Sequence, residues 1–209
     1  MTQVEEKETG WRGSPELWVN AAYDTLIEQG IDAVKILPLA ARLKLSRTSF
    51  YWFFKDRAAL LLALADRWEQ VTSVPLVAAA NAYAETETEA MLNVIGCFLS
   101  DRSFDARLEF AVRGWALQDA RMLARVHAAD IRRLDALRQM LARWGHDPLD
   151  ADVRARTVYL VQIGYVAMQT RESLDTRLGR IANYVEIYTG RRPSENEMAR
   201  IRSRLELER

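Results

Sequence analysis

Apolar residues recur every three to four positions along nearly the whole chain, and this spacing limits the fold more than any other feature, because only a helix gathers such positions on one face. No alternating apolar and polar run bounded by hairpin turns interrupts the pattern, so strands are not expected. The expected fold class is all-α. With 49% of 209 residues apolar, the chain can bury a sizeable core, either as one helical unit or as a small head on a larger body.

Start and stop signals divide the pattern into helices. Ser14 followed by Pro15 opens the first, which carries Trp18, Ala21, Ala22, Thr25 and Leu26 on one face and stops at Gly30. A short second helix fits about Leu37 to Leu43, and Lys44-Leu45-Ser46 makes a tight turn. Ser46 caps a third, about Arg47 to Phe54, and Asp56 caps a fourth that begins at Arg57 and buries Leu60, Leu61, Leu64, Ala65 and Trp68. Further along, Thr86 with Glu89 reads as a capping box ahead of Met91 to Leu99, and Ser103 or Asp105 opens a helix through Trp115. Asp119 opens a long helix with an apolar stripe of Ile131, Leu134, Leu137, Leu141 and Trp144 that ends at Gly145. Asp147 and Pro148 begin another, from about Leu149 to Thr170. Leu174, Leu178, Ile181, Val185 and Tyr188 then alternate spacings of four and three up to Gly190, and Pro193, Ser194 and Glu197 mark a last, charged helix.

Composition removes several functions from consideration. Twenty-nine basic residues balance 29 acidic ones, so any polyanion site must be a local patch. Cys97 is the only cysteine and lies in an apolar run, which rules out an internal disulfide, favours a cytoplasmic setting and reads as buried filler. Met1 to Gly10 is polar and acidic, so no secretory signal is expected there. No run approaches the roughly 20 apolar residues that cross a bilayer, so no membrane association is expected either. His127 and His146 have no companions at ligand spacing, so neither a metal nor another cofactor is expected. One cysteine, two distant histidines and no glycine-rich loop supply no catalytic set, and the chain is not expected to be an enzyme.

The region from Ile31 to Arg57 departs from this neutrality. It contains Lys35, Arg42, Lys44, Arg47, Lys55 and Arg57 against only Asp32 and Asp56, as a phosphate-facing surface requires. Three short helices with a three- to four-residue turn before the third give the layout of a DNA-reading helix-turn-helix, a layout that many small bundles share. An eight-residue helix cannot bury Phe50, Tyr51, Trp52, Phe53 and Phe54 together, so part of this aromatic run must face outward.

The run from Ser46 to Leu61 resembles the recognition helix and the start of the fourth helix in the TetR family of regulators. It has a capping Ser, small polar residues, an apolar-Tyr-aromatic trio, a core aromatic and a basic pair before a Leu-rich helix, in that order. Gly30, Ala40 and Leu45 also fall at the family's spacing, and the resemblance covers about Ser14 to Trp68. It implies a DNA-binding head over residues 1–57, joined by a long fourth helix to a C-terminal bundle over 58–209 for ligand binding and dimerisation. Arg47, Thr48, Ser49 and Trp52 would then face the major groove, Tyr51 would reach a phosphate, and Lys35, Lys55 and Arg57 would clamp phosphates at helix N-termini. Three positions depart from the family. Lys44 replaces the turn glycine and adds a phosphate contact, Lys35 stands where a Ser or Thr cap is usual, and Phe53 can offer only stacking or a methyl contact.

For the body, the resemblance implies a homodimer, a palindromic double-stranded DNA operator and release by a small-molecule effector. The expected pairing seam is Leu174, Leu178, Ile181, Val185 and Tyr188 packed with the preceding helix, where Gly164 and Ala167 permit close approach; the same stripes could instead bury the core of one chain. A ligand chamber is expected around Phe98, Trp115, Met122, His127, Tyr159, Gln162 and Tyr165, with coupling to the head through the fourth helix. The alternative reading is a helical adaptor whose basic head binds an acidic protein.

Overall fold

A computed structural model of the chain describes residues 13–100 and 102–207; the acidic stretch from Met1 to Gly10 lies outside them. Among the described residues there are ten α-helices, one 3-10 turn and no strand. The chain divides into two compact units, Met1–Ala65 and Asp66–Arg209, so the first turns of the fourth helix belong to the head.

In the head, α1 (Pro15–Gln29) starts at Ser14, whose hydroxyl accepts the Leu17 amide, and ends at Gly30, held at φ 82°. A 3-10 turn over Ile31–Ala33 leads to α2 (Ile36–Leu43), and α3 spans only Arg47–Phe50. The third helix was expected to reach Phe54. Beyond Phe50 the chain tightens into three-residue bonds, Tyr51 N–H to Thr48 O, Trp52 N–H to Ser49 O and Phe53 N–H to Phe50 O, which keep the aromatic run turning without a further α-helical turn. Trp18, Leu26, Val34, Leu39 and Phe50 are buried, with Trp18 edge-on to Phe50 at 5.2 Å and Phe54 stacked on it at 5.5 Å. Asp56 caps α4 (Arg57–Asn81) by accepting the Ala59 amide, and Leu60 and Leu64 complete this core while Leu61 is only half-buried.

The body holds the rest of α4 with α5 (Glu87–Leu99), α6 (Ala106–Ala116), α7 (Ala120–Arg143), α8 (Pro148–Ala167), α9 (Leu174–Thr189) and α10 (Glu195–Leu207). The expected caps are in place: Thr86, Asp105, Asp119 and Asp147 each accept amides of their first turn. In the Thr86 box the return bond from Glu89 goes to the Glu85 amide. Helix α5 lies between α9 and α10, and α7 packs on α6 and α8. Glu197 ties α10 to the start of α5. Its carboxylate accepts from Thr86, Thr88 and Ser194, and these bonds, working against its burial, hold it down to about pKa 2.

Pro75 sits inside α4 and cannot donate to the carbonyl of Val71, four residues back. The Asp105 amide, at the head of α6, fills that carbonyl at 3.1 Å. On α7 the buried face is Met122, Val126, Ala129, Arg133, Leu137, Met140 and Leu141. Ile131, expected in the stripe, is exposed because the helix turns its Ala129 and Arg133 side to the core.

His146, in the turn before α8, is held between Glu87 of α5 and Asp150 of α8; Arg154 bonds the same Asp150, and Arg191 approaches Glu87 at 4.0 Å. Burial works to lower the imidazole pKa. The hydrogen bonds to Glu87 and Asp150, with the charge of Glu87, outweigh both burial and the opposing charge of Arg154 and raise it. A raised folded value gives stability that is full below the unfolded pKa of about 6.5 and is lost as pH rises through the folded value. We predict that His146→Gln lowers the melting temperature more at about pH 6 than at about pH 9, since the ring's contribution falls as pH rises through its raised folded value. An equal loss at both pH values would show that the ring contributes packing alone.

Candidate nucleic-acid interface

The turn between α2 and α3 sets the geometry of the head's basic surface. Lys44 takes the left-handed conformation, φ 55° and ψ 37°, at the end of α2, and its amide bonds back into that helix. A lysine there costs about 1–2 kcal/mol relative to glycine in backbone strain, while its ammonium stays exposed beside α3. Lys35 stands at the N-cap of α2 without a side-chain bond to that helix, as expected from its lack of a hydroxyl.

Ser46 caps α3 through the Ser49 amide, leaving Arg47, Thr48, Tyr51 and Trp52 exposed, the last at 63%. Arg47 donates to the Tyr51 hydroxyl at 2.9 Å and lies over its ring at 5.6 Å, so the two form a preassembled pair. The hydroxyl accepts from Arg47 and keeps its own proton for another acceptor, such as a phosphate oxygen. Lys55 is exposed just beyond, and Phe53 is half-buried.

Two expected contacts are corrected by this geometry. Ser49 is buried, with its hydroxyl 3.0 Å from that of Ser46, so it serves the cap and does not face a groove. Arg57 donates to the carbonyl of Val34 at 2.5 Å and of Ile31 at 2.9 Å, which binds the start of α4 to the turn after α1 and takes the guanidinium away from the surface role. Arg42, counted in the local surplus, is paired with Glu28 and Asp24. The cations left on the surface of this region are Lys35, Lys44, Arg47 and Lys55.

In the body, Phe98, Trp115, Met122, Tyr159 and Gln162 are buried, and Tyr165 is half-buried with its hydroxyl 3.0 Å from that of Tyr184. His127 is exposed, so it lines no interior chamber, a correction that follows from its place on the solvent side of α7. The seam residues also need correction. Leu178, Ile181, Val185 and Tyr188 are buried in the chain's own core, and Leu174 packs against it, because α5 covers that face of α9. Gly164 and Ala167 do lie toward the open side of α8, and a Cβ at Gly164 would meet empty space.

Sequence reasoning missed a buried ionic cluster at the centre of the body. Arg133 and Glu109, both fully buried, pair at 2.9 Å. Arg133 also donates to Ser73, Thr72 and the Tyr159 hydroxyl, and its guanidinium faces Trp68, which donates to Glu109 at 2.6 Å. Arg113 bridges Glu109 and Asp130 at the rim, and Tyr159 donates to Asp130. Burial alone would raise the Glu109 carboxyl, but the charges and hydrogen bonds of Arg133 and Arg113 hold it below its ordinary value. Burial also raises the Tyr159 hydroxyl, so it remains a neutral donor. The cluster leaves only weak signals in the sequence: an Arg at a core position of the α7 period, and a Glu in the α6 core stripe.

Residues 19–64 match the family model described as bacterial regulatory proteins, tetR family. The head is a tetR-family domain. The match covers the head and does not extend into the body. No curated protein matches the sequence. Among solved structures the chain is similar to a protein from Mesorhizobium loti MAFF303099 assigned to the TetR family of transcriptional regulators. The two are 17% identical over 84% of this chain and 95% of that one, with a TM-score of 0.59, a likeness of fold. Looser overlays are found with BioQ bound to its double-stranded DNA operator, at 18% identity, 85% and 96% coverage and TM-score 0.44. A TetR-family assignment from Streptomyces coelicolor A3(2) overlays at 21%, 93%, 96% and 0.40. No group of three or more His, Cys, Asp or Glu among the described residues could hold a metal ion, and no described helix is long and apolar enough to cross a membrane.

Proposed function

We propose that the chain is a dimeric repressor that grips a palindromic operator through two tetR-family heads and is released by a small-molecule effector. The observation that carries the DNA reading is the exposed set Arg47, Thr48, Tyr51 and Trp52 flanked by Lys35, Lys44 and Lys55. Phosphate contacts from the lysines and the Tyr51 hydroxyl would set register, while Arg47 and Trp52 would read base edges. Fluorescence anisotropy with duplexes from the DNA flanking the gene tests this. Replacing Arg47 or Trp52 with Ala is expected to change the preferred sequence, with about 1–3 kcal/mol lost on the best site; uniform weakening on every duplex would mean that α3 is scaffold.

One short recognition surface covers few base pairs, so two-fold pairing is needed for a specific site. The pairing face proposed here is the stripe of α8 formed by exposed Val153, Thr157, Leu160 and Ala167 and half-buried Gly164, ending at the exposed Met168. These residues alternate spacings of four and three on the side that the chain's own core leaves uncovered. Leu160→Glu, at a position 63% exposed, should leave the fold intact and shift sedimentation from dimer to monomer at micromolar concentration. A dimer that survives this change would place the interface elsewhere. Support for an interior effector comes from Gln162, whose buried carbonyl oxygen has no hydrogen-bond partner and could orient a ligand.

A further inference from the structure

The body contains a recess of about 150 Å³ bounded by α4, α5, α10 and the turn before α6, remote in composition from the aromatic interior expected to hold an effector. Its walls are small. Pro75, Ala79 and Ala82 line one side, and Gly96 and Cys97 the other. Its polar edge is made by Asn93, Ser103 and Arg204.

Arg204 reaches this edge because of Gly96. A Cβ there would stand 2.5 Å from Nη2 of Arg204 and 2.6 Å from Cδ1 of Ile201, so the glycine leaves the room that these two side-chain ends occupy, and any side chain at this position would displace them. One end of the guanidinium is anchored, Nη1 donating to Asn93 Oδ1 at 2.9 Å, and Asn93 is itself fixed by donating to the Tyr83 carbonyl. No acidic side chain among the described residues forms an ion pair with Arg204. A guanidinium oriented by Asn93, with no acidic partner among the described residues, beside a small and partly apolar recess selects for an anion with a compact apolar body.

We propose that this recess binds a small monocarboxylate of about the size of benzoate. Two donors of a guanidinium match the two oxygens of a carboxylate, and this planar fork distinguishes a carboxylate from a spherical anion. A space of about 150 Å³ is of the size that holds one benzene ring, and the walls of Pro75, Ala79 and Ala82 offer that ring apolar surface and no hydrogen-bond competitor. The Ser103 side of the rim can satisfy a second lone pair of the acid. The assignment concerns the body alone and stands whether or not the head binds DNA.

Calorimetric titration of the full chain with benzoate, and with the neutral isostere benzamide, tests the site. Saturable binding of benzoate is expected at millimolar concentration or below, with benzamide and the variant Arg204→Met each weakening binding about 10–100-fold, the loss of one charge-assisted contact. Arg202→Met, which removes an exposed cation from the same helix, is expected to change nothing. Ala79→Leu should fill the recess and abolish binding while Arg204 remains, and Ala82→Leu does the same from an exposed position if the first variant melts abnormally. Absent saturation by benzoate, equal affinity for benzamide, an Arg202 effect matching that of Arg204, or binding that survives both filled variants would each overturn the proposal.

Discussion

Glu109→Leu is expected to destabilise the body by about 3–5 kcal/mol in urea denaturation, because it takes from the fully buried Arg133 its only closely bonded counterion. The loss is large for a single side chain because charge in a low-dielectric interior must be met by charge and hydrogen bonds. Thr72, Ser73 and Tyr159 would remain as neutral partners, and the one carboxylate left near the charge, Asp130 at 3.8 Å, is already bonded by Arg113. Arg133→Met should cost a similar amount by stranding Glu109, although Arg113 at the rim gives that carboxylate partial relief. The double variant is expected to be more stable than the sum of the two losses, since removing both charges together removes the desolvation penalty with them. Additive losses would mean that the two charges are held independently. A buried pair of this kind is weak evidence for net stability; its effect here is to require that Trp68 and Thr72 of α4, Glu109 of α6, Arg133 of α7 and Tyr159 of α8 all sit in one arrangement.

The second large effect is expected in DNA binding. Replacing Lys35 and Lys55 with Gln and Lys44 with Gly should lower the slope of log affinity against log salt by about 2.7, at about 0.9 per phosphate contact. Taken over the decade from 1 M to 0.1 M salt, this is a loss of about 500-fold at the lower concentration, uniform across sequences. Glycine at position 44 keeps the left-handed turn, so the change reads charge and leaves the fold of the head in place. An unchanged slope would show that these lysines do not face phosphate.

Helix starts were legible in the sequence because each is a local device. Ser14, Ser46, Asp56, Thr86, Asp105, Asp119 and Asp147 all accept first-turn amides, and each needs only residues within three positions of itself. What covers a helix face is not local. The four-three stripe of α9 was readable as an apolar face, yet whether α5 of the same chain or a second chain would cover it depends on the path of more than 70 intervening residues. The candidate site divides in the same way. Exposure of Arg47, Thr48 and Trp52 follows from the cap and the crowded aromatic run, whereas Arg57 looked like a surface cation until the carbonyls of Ile31 and Val34, at 26 and 23 residues' separation, were found in front of it. Charge counting cannot distinguish a guanidinium that meets solvent from one that closes a turn. The Arg133 cluster escaped for a related reason: an arginine in an amphipathic helix reads as solvated unless its partners on three other helices are known.

The carbonyl that Pro75 leaves open makes the start of α6 a reporter on α4. The Asp105 amide can exchange its proton with solvent only when it parts from the Val71 carbonyl, so its isotope-exchange rate measures how often the two helices separate at that point. No neighbouring amide is needed to interpret it, because this single main-chain bond spans 34 residues of sequence and belongs to neither helix's internal ladder. Any compound or partner that shifts α4 beyond its proline would therefore register as a change at one peptide group, separable by mass or resonance from the rest of the chain.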